Sequence, residues 1–510
     1  MALPNLLLAL ALSAVAFIFI RKRLKNARIP LPPGPASDPL IGHLRLIPHA
    51  GQDLFFYRMG KIYGDMMHFE VLGQSVIILN SVQAAVDLLD KRGVIYSDRP
   101  DFRIYELFGI GDSLVLLKYG KDFQIQRRMV QQHFTNEKRT DYLLVQTREA
   151  RILAQSLITR PEDRISLLLR YSTAIIMDII YGHQIVSADD PFVKIAEDCC
   201  EAAAESGPPG ATPVDLFPIL KHFPSWFPGT YYATFARGAS DKFERLREYP
   251  FARVVEEMAA GRARPSFVAS QLEALAQSEA RDSTNIKRIQ AAAAIQYIAG
   301  AETTSSTVSF FFLAMVLYPQ CQIQAQKEID AVIGSDRLPE PHDRENLPFL
   351  ERLLQETLRW NQAVPCGVPH KTMEDDVYKG MLIPRGSTVI ANVRGMTLDE
   401  SVDKDPFNFD PTRFLPQPAG RGEPYPIGPF GFGRRICPGR HLAEDSVWIA
   451  IATIMATISI SRVIGKDGKE IIPDVLPVAH GIASHPSPFP CRLTARSDKS
   501  LKLLKMAESG

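Results

Sequence analysis

Residues 429–439 read Pro-Phe-Gly-Phe-Gly-Arg-Arg-Ile-Cys-Pro-Gly and run directly into an apolar, helix-forming stretch between residues 442 and 460. Cys437 therefore stands in a glycine-rich turn just ahead of a helix. Amide groups at a helix N-terminus stabilise negative charge on sulfur, which favours a thiolate. A thiolate held in this way can bind haem iron axially and supply electron density to it. The segment therefore predicts that Cys437 is a haem-iron ligand.

The neighbours of Cys437 suit the same task. Gly433 and Gly439 allow a tight turn and let backbone amides approach the sulfur. Phe430 offers an apolar face that shields the sulfur, and Arg435 is long enough to meet a haem propionate. A lone cysteine in a turn is by default a buried structural residue, but the pattern Phe-x-x-Gly-x-Arg-x-Cys-x-Gly fixes five residues in ten. Chance is a poor account of so dense a pattern.

At these residues the chain resembles the cytochrome P-450 family of haem-thiolate monooxygenases. The resemblance implies the cytochrome P-450 fold, mainly α with a small β part, and haem b as the cofactor. It also implies insertion of one oxygen atom from dioxygen into an apolar small molecule. Electrons would come from a separate NADPH-cytochrome reductase, because no glycine-rich nucleotide fingerprint follows a predicted strand in this sequence. The segment Tyr96-Ser97-Asp98-Arg99-Pro100 looks most like fungal microsomal members that oxidise terpenoid or polyketide secondary metabolites.

Composition bounds the class of protein. The 510 residues are 46% hydrophobic and 23% charged, with a net charge of +1. This balance is typical of a globular protein and gives no electrostatic footprint of nucleic-acid binding. Six cysteines are scattered along the chain, and Cys199 and Cys200 are adjacent. This is not the spacing of a disulfide framework, so a reducing compartment is the simpler interpretation.

The N-terminus predicts a membrane anchor. Residues 6–20 are almost wholly apolar and, with residues 2–5, approach the ~20 residues that span a bilayer. Basic residues follow at once, which by the positive-inside rule puts the body of the protein in the cytosol. Together with the resemblance, this implies a single-pass protein of the endoplasmic reticulum membrane. The alternative is a signal peptide cleaved at Ala14-Val15-Ala16, but no basic n-region precedes that site. The expected domains are an anchor over residues 1–20, a basic and proline-rich hinge over residues 21–35, and a catalytic domain over residues 36–510.

A long apolar segment over residues 285–318 predicts one helix, which contains Ala299-Gly300-Ala301-Glu302-Thr303-Thr304. Two small residues would let a flat ligand lie against the helix, and a threonine hydroxyl can take a backbone carbonyl from its normal partner. The segment matches the family pattern Ala/Gly-Gly-x-Asp/Glu-Thr-Thr. The resemblance implies that Thr303 hydrogen-bonds dioxygen and that Glu302 helps to relay protons through water. A Thr-Thr pair in a buried helix is otherwise usually a packing feature.

Two more residues are candidates to bind the haem propionates. The family pattern Trp-x-x-x-Arg falls on Phe123 and Arg127, so the arginine carries over but the indole N–H donor does not. His370 aligns with a family residue that contacts a propionate. Without the resemblance, Arg127 would be interpreted as a solvated helix residue and His370 as an ordinary, partly exposed histidine.

A charged triad is predicted beneath the haem. Glu356 and Arg359 share one face of a predicted helix over residues 349–360. Pro411-Thr412-Arg413-Phe414 matches a second family element, and the resemblance implies that Glu356, Arg359 and Arg413 form one buried cluster. A carboxylate between two guanidiniums tolerates burial only if it is fully hydrogen-bonded.

The remaining candidates are apolar residues that the resemblance places around the substrate. They are Phe102, Leu114, Ala299, Val364, Val368 and Ile482. The first two belong to an irregular segment over residues 99–119, for which a surface loop with incidental apolar side chains is nearly as good an account. Residues 207–229 are rich in proline and aromatic residues, which fits either a lid at the membrane surface or packing between two helices.

Two alternatives to a monooxygenase stay open at this point. One is a haem-thiolate desaturase or rearrangement enzyme with the same fold, and the other is a haem-binding protein without turnover. Thr303 beside Glu302 favours oxygenation, because family members that do not activate dioxygen typically lack this threonine.

Overall fold

The computed structural model describes residues 29–509, apart from residues 188, 208, 209, 211, 278–282, 476, 479 and 480. Helices make up most of this part of the chain, and the strands are short. The predicted mainly α fold with a small β part is therefore confirmed.

The helices follow one another along the chain, with 3-10 and π-helical segments between them. The α-helices are Gln52–Tyr63, Val82–Ala85, Gly93–Tyr96, Arg103–Leu107, Lys121–His133, Arg139–Thr159, Arg164–Tyr181, Pro191–Ala204, Pro213–Leu216, Tyr231–Ala259, Phe267–Ala276, Ser283–Leu317, Pro319–Val332, Pro348–Trp360, Val393–Thr397, Arg440–Thr457 and Asp498–Ser509. The 3-10 helices are Pro161–Asp163, Pro218–His222, Pro341–Asn346, Pro411–Phe414 and Gly433–Arg435, and the π-helical segment is Val86–Lys91.

The strands form one larger sheet and several two-stranded pairs. They are β1 (Met66–Val71), β2 (Gln74–Leu79), β3 (His370–Lys371), β4 (Asp376–Tyr378), β5 (Met381–Ile383), β6 (Thr388–Ala391), β7 (Ile458–Ser461), β8 (Pro477–Val478), β9 (His485–Pro486) and β10 (Arg492–Ala495). The larger sheet has the order β1-β2-β6-β3, with β2 and β6 parallel and the other pairs antiparallel. Strand β7 pairs with β10, β4 with β5, and β8 with β9. His370 begins β3 opposite Val389 of β6, so the sheet fixes its position.

The helix Ser283–Leu317, here called the central helix, organises the helical part of the fold. It has 35 residues and is about 50 Å long. Most of its residues are buried, and they lie on all faces of the helix, which is typical of a helix that runs through a protein core. It packs along the helix Arg164–Tyr181, where the Ser172 hydroxyl donates to the Ala301 carbonyl at 2.6 Å.

The helix Arg440–Thr457, here called the proximal helix, begins three residues after Cys437. It packs against the helix Arg139–Thr159. Across that contact Nε2 of Gln146 donates to the Leu442 carbonyl at 3.0 Å. This buried bond fixes the start of the proximal helix and with it the Cys437 turn.

Among the residues that the structure describes, no single helix is long and apolar enough to cross a membrane. The central helix and the helix Pro319–Val332 together have the length and composition of a span, but they are bent by 104° at the break between them. The predicted anchor over residues 1–20 lies outside the described residues, as does the hinge up to residue 28.

The proline-rich part of the hinge is docked on the β part of the fold. The Pro33 carbonyl accepts a hydrogen bond from the His68 amide at 2.9 Å, and the Pro30 carbonyl accepts one from the Leu382 amide at 2.7 Å. The chain approaches so closely that a Cβ at Gly34 would lie 2.1 Å from the His68 carbonyl oxygen. The proline-rich part of the predicted hinge is therefore held along β1 and β5 by backbone hydrogen bonds.

Candidate functional site

An internal cavity lies between the central helix and the Cys437 turn, and most of the predicted site residues line it. They are Leu114, Arg127, Ala299, Glu302, Thr303, Val364, Val368, His370, Phe430, Arg435, Cys437, Gly439 and Ile482. The fold thus brings segments that are far apart in the sequence to the walls of one cavity.

Two of the predicted site residues lie elsewhere. Phe102 does not line this cavity, because its buried ring packs edge-on against Tyr105, with the ring centroids 6.1 Å apart. Gly433 has a φ of +54°, and a Cβ there would lie 2.1 Å from the Leu89 carbonyl oxygen. Close packing against the backbone of Leu89 therefore requires a glycine at position 433. The predicted reason was different, namely that the glycine lets a backbone amide approach the sulfur.

Cys437 is held by its own turn. Its backbone amide donates to the Phe430 carbonyl at 2.8 Å. Burial raises the pKa of the Cys437 thiol, while the Gly439 amide and the Arg127 and Arg440 guanidiniums act to lower it. The predicted stabilisation of a thiolate is therefore present but is outweighed by burial. A metal cation coordinated to the sulfur would reverse this balance, because coordination deprotonates a thiol.

Arg435 is anchored on one side of the cavity. Its half-buried guanidinium donates to the carbonyl oxygens of Ser97 at 2.8 Å and Leu117 at 2.7 Å. It also lies over the ring of Phe123, 3.7 Å from the centroid. Burial lowers the pKa of Arg435 to about 10. Phe123 replaces the tryptophan of the family pattern, so it keeps an aromatic face for a cation while losing the N–H donor.

Arg99 and His370 are held in the same region. Nη1 of Arg99 donates to the Pro369 carbonyl at 2.8 Å. Nδ1 of His370 lies 2.8 Å from the Tyr96 carbonyl oxygen, and since a carbonyl only accepts, Nδ1 carries the hydrogen. Burial lowers the pKa of both side chains, and the charges of Arg99 and Arg435 lower that of His370 further.

In the described part of the chain, the Asp98 carboxylate lies near Arg99 and Arg435 and acts to raise the pKa of both, but it does not pair with either side chain. None of Arg99, Arg127 and Arg435 forms an ion pair with a carboxylate there, and Nε of Arg127 is buried without a hydrogen-bond partner. Like charges buried together are costly unless anions join them. The two propionates of haem b would supply that negative charge beside a buried thiol. The residues present therefore fit this cofactor.

Thr303 and Glu302 reach the cavity from the central helix. The Thr303 hydroxyl donates to the Ala299 carbonyl at 2.8 Å, and the Thr307 hydroxyl donates to the Thr303 carbonyl at 2.9 Å. Such bonds give helix carbonyls a second donor without breaking the helix. Glu302 is largely buried and stands beside His485 of β9. A hydroxyl and a carboxylate therefore occupy one part of the cavity wall.

Gly300 is explained by the contact between two helices. Ala299 and Gly300 both line the cavity, where two small residues were predicted to let a flat ligand lie against the helix. A Cβ at Gly300, however, would lie 2.5 Å from Cδ1 of Ile176 on the helix Arg164–Tyr181. The space that a side chain at position 300 would need is therefore filled by protein and not by a ligand.

The structure brings together the predicted charged triad and adds a fourth member. Oε2 of Glu356 accepts from Nε of Arg359 at 2.7 Å, and Oε1 accepts from Nε of Arg413 at 3.1 Å. Arg413 also donates through Nη1 to Glu423 at 2.6 Å. Two carboxylates thus balance two guanidiniums, which leaves the buried cluster without net charge.

Sequence reasoning missed Arg99, Glu423 and His485. Arg99 lies in the Asp-Arg-Pro segment noted above, so that resemblance was a signal from which its place could have been predicted. Glu423 and His485 lie in the irregular loop before the Cys437 turn and in the last hairpin, and no local pattern marks either residue.

Comparison with known proteins gives one consistent family. Residues 32–488 match the family model described as cytochrome P-450. Cytochrome P-450 monooxygenase 208 of Postia placenta is 38% identical over 96% of this chain and 94% of its own length. Cytochrome P-450 monooxygenase claR of Ampulloclitocybe clavipes is 37% identical over 93% of this chain and 88% of its own length. Cytochrome P-450 monooxygenase ple1 of Rhodocybe pseudopiperita is 35% identical over 99% of this chain and 96% of its own length.

Proposed function

This chain belongs to the cytochrome P-450 family, and from that premise we propose that it inserts one oxygen atom from dioxygen into an apolar secondary metabolite such as a terpenoid or polyketide. The family binds haem and consists of oxygen-incorporating oxidoreductases, and the relatives named above are fungal monooxygenases. The observation that carries the proposal is that Cys437 and the Glu302–Thr303 pair line one cavity.

Haem, when bound, supplies the activation of dioxygen. Sγ of Cys437 would hold the haem iron, and Phe430 would shield the sulfur. Because Nδ1 of His370 is committed to the Tyr96 carbonyl, Nε2 is the nitrogen that would meet a propionate. Arg99, Arg127, Arg435 and His370 would hold the propionates.

Thr303 and Glu302 hold and move protons. The Thr303 hydroxyl turns from the Ala299 carbonyl to donate into the cavity. The Glu302 carboxyl then returns a proton to Thr303 Oγ1 through water. The apolar walls around this pair exclude bulk water. Protons therefore reach the site by way of Thr303 and Glu302 and not directly from solvent.

The substrate class is argued from the cavity walls. Leu114, Val364, Val368 and Ile482 give them an apolar character, and Ala299 keeps the approach to Thr303 open. Such walls bind a hydrocarbon-like molecule through buried apolar area.

The electron donor and the location are argued from the sequence. A separate NADPH-cytochrome reductase delivers the electrons, because this chain lacks a glycine-rich nucleotide fingerprint after a strand. Residues 6–20 anchor the chain in the endoplasmic reticulum membrane, and the basic residues that follow keep the catalytic domain in the cytosol.

The test combines a spectrum with a labelling experiment. Reduced protein under carbon monoxide is expected to absorb at about 450 nm, as thiolate-bound haem does, and Cys437→Ser is expected to lose that band. With a reductase, NADPH and a panel of terpenes and polyketides, label from dioxygen is expected in the product. Unlabelled products with a new double bond or a rearranged skeleton would instead identify a desaturase or rearrangement enzyme. Failure to consume NADPH with any compound would identify a binding protein.

A further inference from the structure

Gln296 is a polar residue in an otherwise apolar stretch of the cavity wall. It lines the cavity together with Ile295, Ile298 and Ala299. Gln296 stands seven positions before Thr303, which is close to two helical turns, so both side chains leave the central helix on the same face. The rise of the helix places the two positions about 10 Å apart along its axis.

A hydrogen bond fixes which end of the Gln296 amide is free. Nε2 donates to the Ala292 carbonyl at 2.8 Å. Oε1 could not take that place, because neither oxygen carries a hydrogen. Oε1 is buried and has no hydrogen-bond partner among the described residues, and Gln296 as a whole is 9% exposed. The group left without a partner is therefore an acceptor.

Asn361 and Gln362, from another segment of the chain, also line the cavity with amide atoms that have no partner among the described residues, but two hydroxyl-bearing side chains of the wall find partners within the protein. The Ser172 hydroxyl donates to the Ala301 carbonyl at 2.6 Å, and the Tyr105 and Ser206 hydroxyls lie 2.9 Å apart. A buried acceptor that lacks a donor has lost its hydrogen bonds to water without replacement, which destabilises the folded protein. A donor brought by a ligand would remove that penalty.

We propose that Gln296 Oε1 accepts a hydrogen bond from a hydroxyl or N–H group of the substrate, at a point about 10 Å from the carbon that is oxidised beside Thr303. The substrate is then an apolar molecule that carries a donor at one end and is oxidised at the other. An alcohol fits this description, whereas the parent hydrocarbon and the corresponding ketone do not, because neither has a donor. This inference rests on the proposed function and specifies the substrate of the same site.

The experiment uses a molecular ruler in the haem-loaded, full-length protein. N-alkylimidazoles from hexyl to dodecyl are compared in three forms, with the chain ending in a methyl, a hydroxyl or a methyl ether group. The imidazole nitrogen coordinates the haem iron and shifts the Soret band, so each titration gives a Kd. The hydroxyl compound is expected to bind about tenfold more tightly than its methyl counterpart at one intermediate length, a difference of about 1.4 kcal/mol. The ether, which has no donor, is expected to show no such gain.

The matched variants separate recognition from structure. Gln296→Leu is expected to abolish the advantage of the hydroxyl compound, and Gln296→Met, which keeps the length of the side chain, provides the same test if the leucine variant folds poorly. Gln126→Leu is the control. Gln126 is also buried with an unpartnered Oε1 and with Nε2 donating to a carbonyl, that of Asp112, but it does not line the cavity. Its replacement is expected to leave the preference intact.

Three outcomes would overturn the proposal. The wild-type protein could show no advantage for the hydroxyl at any chain length, or the advantage could survive in both Gln296 variants. Gln296→Leu could also leave both the melting temperature and all Kd ratios unchanged, which would show that water already satisfies Oε1. A protein without the carbon-monoxide band at about 450 nm would instead refute the proposed function, so the two failures are distinguishable.

Discussion

Nε2 of His485 lies 3.7 Å from Oε1 of Glu302. The His485 side chain is 40% exposed, whereas that of Glu302 is 13% exposed and lines the cavity. Tyr105 and Cys200 are also close to Glu302, and burial raises the pKa of both. They keep their protons at neutral pH, so His485 is the neighbour that can pass a proton between solvent and the Glu302 carboxylate.

Replacement of His485 is therefore expected to uncouple electron use from oxygenation. In His485→Gln and His485→Ala, product formed per NADPH should fall and hydrogen peroxide released per NADPH should rise. The loss should stay below the ~10² typical of a group that transfers the proton itself, because Thr303 and Glu302 are both retained. Product, peroxide and NADPH are measured with the tightest-binding compound of the terpene and polyketide panel.

The control for this prediction is His342→Gln. His342 also lies near a carboxylate, 3.6 Å from Asp343, but it is far more exposed and does not line the cavity. The relay would be refuted if His485→Gln left the ratio of product to peroxide at the wild-type value, or if His342→Gln changed it equally.

Loss of the buried carboxylate at Glu356 is expected to abolish haem incorporation. Glu356→Ala leaves the guanidiniums of Arg359 and Arg413 buried without their shared anion, at a cost of about 3–5 kcal/mol. Glu423→Ala should be milder, because Arg413 keeps Glu356. The measurement is the ratio of haem absorbance to protein. Glu400→Ala removes an exposed pair with Lys61 and should keep the full haem content, whereas a Glu356→Ala protein with normal haem would contradict the argument.

Local patterns were enough to predict the parts of the site that one segment builds alone. The Cys437 turn, the helix that follows it and the central helix each carry their own signal of glycines or of apolar periodicity. The pairing of Glu356 with Arg413 needed the family resemblance, because the two segments meet only in the folded chain.

What could not be predicted depends on packing between distant segments. Phe102 is as apolar as Leu114, but only Leu114 lines the cavity. Both lie in an irregular segment, where the order of apolar and polar residues does not predict which side chains face inward. Gly433 owes its conformation to the carbonyl of Leu89. The unpartnered oxygen of Gln296 is visible only once the position of the Ala292 carbonyl is known.

Gly300→Ala is expected to destabilise the protein by about 1–3 kcal/mol, as overpacking of a core contact does. The new methyl group would lie 2.5 Å from Cδ1 and 2.6 Å from Cγ1 of Ile176. Ile176→Ala in the same chain removes both atoms and should recover part of that loss in a double-mutant cycle followed by denaturant unfolding. Additive effects of the two substitutions would show that position 300 does not contact Ile176.

Asp403 gives the protein a stability that depends on pH. Burial raises the pKa of Asp403 from 3.8 to about 6, although Arg359 and Arg413 act to lower it. The folded protein therefore holds this proton more tightly than the unfolded chain does, and stability should fall as pH rises from about 4 to about 6 and then level off. Asparagine cannot ionise, so Asp403→Asn should raise the free energy of unfolding by about 1–2 kcal/mol above that window, after allowance for partial solvent screening. Below the window the two proteins should be equally stable. Urea unfolding of both proteins across the pH range measures the difference, and a constant difference at every pH would show that folding does not shift the pKa of Asp403.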